Sequence, residues 1–157
     1  MIATNKTWSS FHLKKLNTIC CCVLLVCCLF VIDEANANER YKIVTHPEVN
    51  ETNVSVNVLR AIFSMRMRTW PDGSLIKVFV LPDNDDLHHL FAKEQLNVFP
   101  YQLRLAWDRL VFSGTGQAPI SVSSNEEMMA KIASTPGAIG YLESTYINDA
   151  IHVLKIK

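Results

Sequence analysis

The stretch "SLIKVFVLP" (residues 74–82) is apolar almost throughout and stops at a proline. A strand with one face in water alternates polar and apolar residues; one this uniformly apolar is covered on both faces, which calls for helices above and below a sheet. A second β-rich run, "YKIVTHP" (41–47), ends the same way. Between the two, "VNVLRAIFSMRMRTW" places Leu59, Ile62, Phe63 and Met67 at helical spacing, and "WPDG" (70–73) turns the chain back. The unit is strand, helix, strand.

The alternation continues. Asp83, Asn84, Asp85 and Asp86 are candidate N-caps for "LHHLFAKEQL", with Leu87, Leu90 and Phe91 inward. Pro100 opens "YQLRLAWDRLVF", whose Leu103, Trp107, Leu110 and Val111 share a face. Ser124 stands three residues before Glu127, the capping-box spacing, ahead of inward Met128, Met129, Ile132 and Ala133. "TPGAIGYL" and "IHVLKI" supply further strands. The pattern predicts an α/β fold with a mostly parallel sheet flanked by helices. Ligands of such sheets gather outside the carboxyl ends of the strands. That edge is expected to carry Thr45 and His46 after the first strand and Asp83–Asp86 after the second.

All five cysteines fall between Cys20 and Cys28, inside "ICCCVLLVCCLFVI". They read as apolar filler and not as a disulfide framework or a metal set. The run follows Lys6, Lys14 and Lys15, is about 14 residues long, and precedes Ala35-Asn36-Ala37, the small-residue pattern of a signal peptidase site. Residues 1–37 therefore read as a cleaved export signal; a retained span needs roughly 20 apolar residues. Residues 38–157 are then one exported domain of about 120 residues, enough to bury a core with neither disulfide nor metal. Lysine and arginine number 15 against 15 aspartates and glutamates, so no basic excess draws the chain to nucleic acid, and any anion site must be local.

"VFSGTGQAP" (111–119) offers such a site. Gly116 is followed by Gln117 and Ala118, which excludes a Walker loop, and Pro119 stands where a dinucleotide fingerprint needs a third small residue. Two readings remain: a cup of backbone N–H groups with the Ser113 and Thr115 hydroxyls, or a helix C-cap with Gly114 left-handed. His46, at a strand end, is a further donor to an anion. His88 and His89 are adjacent, point about 100° apart on a helix, and read as solvated first-turn residues and not as metal ligands. No Gly-x-Ser-x-Gly elbow occurs and residues 38–157 hold no cysteine, so no nucleophile-and-base pattern argues for an enzyme. No cofactor or metal is expected.

Three segments, "LRAIFSMRMRTWPDGSLIKVFVLPD", "WDRLVFSGTGQAP" and "IASTPGAIGYLESTYI", together resemble the phosphate-binding substrate-capture proteins of ABC importers. The resemblance spans about residues 54 to 148 and implies a periplasmic-binding-protein-like fold in the bacterial periplasm; a chain this short has room for about one lobe. The family's Ser-Gly-Thr phosphate loop follows the second strand and opens the next helix, where this chain has Asp83-Asn84-Asp85-Asp86. Ser113-Gly114-Thr115 lies after a different helix, in the family's later glycine-rich loop, and Met65 replaces a usual glycine. The expectation is an exported, non-enzymatic, single-lobe domain binding phosphate or another small oxyanion. Its candidate contacts are Thr45, His46, Ser113, Gly114, Thr115 and Gly116. The alternative is a ligand-free interaction or sensor module, completed by a membrane transporter or receptor subunit or by a second copy in a homodimer.

Overall fold

The computed structural model describes residues 40–157, so the expected export signal lies outside the described residues. Among them, one sheet takes the order β2-β6-β1-β5-β3-β4. Its strands are β1 (Tyr41–Thr45), β2 (Asn53–Val54), β3 (Lys77–Val80), β4 (Ile120–Ser121), β5 (Ala138–Glu143) and β6 (His152–Ile156). The helices are α1 (Val56–Phe63), α2 (Asp86–Glu94), α3 (Pro100–Phe112) and α4 (Asn125–Ser134). β5 pairs in parallel with β3, β3 with β4 and β2 with β6, while β1 is antiparallel to both neighbours. Five strands thus share a direction and β1 opposes them.

Consecutive residues of β5 explain the layers. Every side chain from Ala138 to Leu142 is buried, and Gly140 and Tyr141 point to opposite faces of the pleat. A Cβ at Gly140 would sit 2.7 Å from Met128 Sδ and 2.8 Å from Ile132 Cδ1, so the glycine lets α4 lie close against that face. On the other face Tyr141 stacks on Phe91 of α2, with centroids 4.0 Å apart, and Phe91 packs on Phe63 of α1. Trp107 fastens α3 outside this layer by donating Nε1–H to Phe63 O at 2.8 Å.

The turn before β5 is fixed by geometry. Gly137 has φ +76°, and a Cβ there would meet Leu75 O at 2.1 Å, while the Trp70 indole donates to Gly137 O at 3.1 Å. The tryptophan turn and the proline-glycine turn of the sequence are therefore two sides of one contact. After α1 the chain passes through Met65 at φ +60°. The left-handed turn that suits glycine survives with a methionine in it, at a cost of about 1 kcal/mol.

Candidate functional site

The carboxyl ends of β3, β4 and β5 define the edge where α/β sheets hold ligands, and two helix N-termini open onto it. A helix N-terminus carries backbone N–H groups without partners inside the helix, which can attract an anion. At α2, Asp85 takes that role itself: its Oδ1 accepts from Leu87 N at 2.8 Å and from His88 N at 3.2 Å. At α4, Ser124 Oγ accepts from Glu127 N, and the Glu127 carboxylate takes Ser123 N and Oγ at 2.7 and 2.6 Å. These bonds hold the Glu127 carboxyl below its ordinary range, the Ser123 hydroxyl contributing most. Both N-termini are capped by the protein's own oxygens.

Asp83 forms a two-pronged ion pair with Arg104 of α3, at 2.8 and 2.9 Å. The Arg104 hydrogen bond holds the Asp83 carboxyl below its usual range, and the guanidinium lies 5.2 Å from the centre of the Trp107 ring. The cation beside this edge is thereby engaged by a carboxylate. Behind it, His88 is fully buried, which corrects the expectation of a solvated residue; His89 is exposed. Tyr141 Oη accepts Leu81 N–H at 3.0 Å and lies 2.5 Å from His88 Nδ1. Burial pushes the Tyr141 hydroxyl up, so it stays protonated. His88 Nε2 is buried without a hydrogen-bond partner. Burial also holds the His88 pKa below its ordinary value.

The expected contacts do not assemble at this edge. Because β1 runs against the other strands, Thr45 and His46 lie at the opposite edge: Thr45 pairs with Ile139, and His46 N donates to Ala138 O at the start of β5. Thr45 is buried, its hydroxyl 3.5 Å from His152 O, and His46 Nδ1 accepts Glu48 N–H at 3.2 Å. Ser113–Gly116 leads toward the start of β4, and Thr115 O accepts from Arg68 at 3.3 Å. β4 stands three strand spacings from β1, roughly 14 Å. Within the loop Gly114 has φ +66°, and the N–H groups of Gly114, Thr115 and Gly116 donate to Val111 O, Leu110 O and Leu110 O. Ser113 Oγ donates to Arg109 O at 2.7 Å and lies 2.8 Å from Thr115 Oγ1. Those groups form the C-cap, leaving the cup no free backbone donor among these three residues.

Among the described residues, no group of three or more His, Cys, Asp or Glu side chains is placed to hold a metal ion. No described helix is long and apolar enough to cross a membrane.

Comparison with solved structures finds the same fold in three substrate-binding proteins. A Clostridium perfringens phosphate ABC transporter substrate-binding protein, solved with phosphate bound, shares 14% identity with a TM-score of 0.61, over 74% of this chain and 44% of its own. An ABC-type phosphate transport receptor from Vibrio cholerae shares 13% at 0.60, over 74% and 46%. PstS from Borrelia burgdorferi shares 18% at 0.54, over 75% and 47%. The chain thus spans less than half the length of each. A search of curated proteins finds no match to the sequence. The family model described as the PBP superfamily domain matches residues 41–153, most of the chain, and the protein belongs to that family.

Proposed function

We propose that this chain is an exported, non-enzymatic lobe of the solute-binding type that meets a second protein surface, and not free phosphate, at its carboxyl edge. The observation that supports the reading is the Asp85 carboxylate on the N–H groups of Leu87 and His88. An oxyanion at that helix end would have to displace a carboxylate that is tethered there and stabilised by the same donors and dipole. Asp83 engages Arg104, and Asp86 and Glu126 add exposed negative charge nearby. The face offered is acidic, and the partner is a subunit of a membrane transporter or receptor.

A second reading, capture of phosphate, draws support from the likeness to a protein solved with phosphate. It requires Asp85 to swing away, or Ser113, Gly114, Thr115 and Gly116 to release their bonds to α3. Thermal unfolding of the full chain in millimolar phosphate, against sulfate at matched ionic strength, separates the two. A ligand at about 100 times its Kd adds about 2.7 kcal/mol, several degrees for a domain of this size. The first reading expects the two curves to coincide; a rise specific to phosphate favours the second.

A further inference from the structure

α3 is apolar on two sides. Leu103 and Trp107 face the core, yet Tyr101, Leu105 and Phe112 are 61%, 60% and 87% exposed, and Phe99 and Val111 at the two ends are 54% and 47% exposed. With Asp108, the residues 101, 105 and 112 fall at i, i+4, i+7 and i+11, one stripe along the outer surface. Phe99 and Tyr101 stack on each other, centroids 5.8 Å apart, so one end of the stripe is an aromatic plate. Isolated exposed apolar residues need no explanation, but several large ones along one helix face, with an aromatic at each end, mark an interaction surface.

We infer that this face of α3 pairs with the same face of a second copy about a two-fold axis. The stripe has an aromatic residue at each end. An antiparallel pair that sets Tyr101 opposite Phe112 of the second copy also sets Leu105 opposite Asp108, brings the two Leu105 side chains together near the axis, and places each Asp108 about four residues along the axis, roughly 6 Å, from the other copy's exposed Arg109. The aromatic ends and the opposite charges of Asp108 and Arg109 thus meet across the axis, as an isologous contact requires. The size fits as well. Large apolar side chains carry about 150–250 Å² each when aromatic and somewhat less when aliphatic, so the exposed fractions leave on the order of 500–600 Å² of apolar surface per copy. A pair would bury roughly 1,000–1,200 Å², at the threshold of a specific interface before the flanking polar side chains are counted. The inference rests on the exposed side chains of α3 and not on the Asp85 cap, so it stands independently of the preceding reading.

Sedimentation velocity of the full chain across the micromolar range tests it. The expected result is a monomer–dimer equilibrium that Leu105→Asp and Phe112→Asp each shift toward monomer by at least tenfold in Kd, with unchanged circular dichroism. A second measurement uses a background in which Cys20, Cys21, Cys22, Cys27 and Cys28 are serine. There Leu105→Cys should form a disulfide-linked dimer on mild oxidation, and Glu126→Cys at the acidic edge should not. A chain that stays monomeric at every concentration overturns the inference. So does a dimer indifferent to both aspartates, which would place the contact elsewhere, the apolar segment before residue 38 included.

Discussion

At the N-terminus of α2 the residues Asp83–Asp86 meet N–H groups that have no partner within the helix, whereas at the C-terminus of α3 the loop Ser113–Gly116 meets carbonyls that have none within theirs. The first loop has carboxylates where an anion would bind. The second has the serine, glycine and threonine of a phosphate loop. In each case the backbone decides what the side chains do: Asp85 is drawn onto the donors of α2, and Gly114, Thr115 and Gly116 turn their own N–H groups back onto α3. Which end of a helix a loop touches outweighs the letters in it.

The two ends separate most widely in acid. His88, in the first turn of α2, is neutral and buried, its pKa lowered chiefly by desolvation; Asp83 and Asp85 oppose that shift, and His89 and Arg104 reinforce it. An unfolded imidazole titrates near about 6.5, so this contribution to stability is complete above that pH. It is lost as pH falls toward the lower folded value, at up to about 1.4 kcal/mol per pH unit. Urea unfolding should record that slope, with amide exchange in the first turn of α2 rising before exchange at the end of α3. His88→Phe should flatten it; an unchanged slope in that variant would assign the acid sensitivity elsewhere.

Capping gives the next effect. Asp85→Ala should cost about 1–2 kcal/mol and Asp85→Ser far less, since serine also caps. Equal losses in the two variants would mean that the contact to Leu87 and His88 contributes little. Gly114→Ala, at a position open in space but left-handed, should cost about 1 kcal/mol by denaturant midpoint, from backbone conformation alone. The smallest change is expected from Asp83→Asn, at most about 0.5 kcal/mol, because the ion pair with Arg104 is partly exposed and solvent-screened. Raising salt should shrink that last difference and leave the Gly114 loss untouched.

Much of the scaffold is legible in the sequence because its signals are local. Apolar runs ending in proline, the Ser124–Glu127 cap and the Pro100 helix start each report on a few neighbouring residues. The direction of β1 is not local: it depends on pairing with β5 and β6, about a hundred residues away, and nothing within "YKIVTHP" reports it. That is why Thr45 and His46 fall at the opposite edge from the one expected. β2 and β4 are two residues each, too short to show a period. His88 carried a usable signal, since it lies three residues before buried Phe91 on the inner face of α2. Val111 was expected to face inward because α3 has apolar residues on both sides, and periodicity alone does not say which side meets the core.

The central claim is that Asp85 closes the N-terminus of α2, and the amide resonances of Leu87 and His88 test it most directly. In a phosphate titration of the isotopically labelled chain, with sulfate as control, the account predicts that these two amides move no more than the rest of the backbone. Large, saturable shifts at Leu87 and His88 specific to phosphate would contradict it.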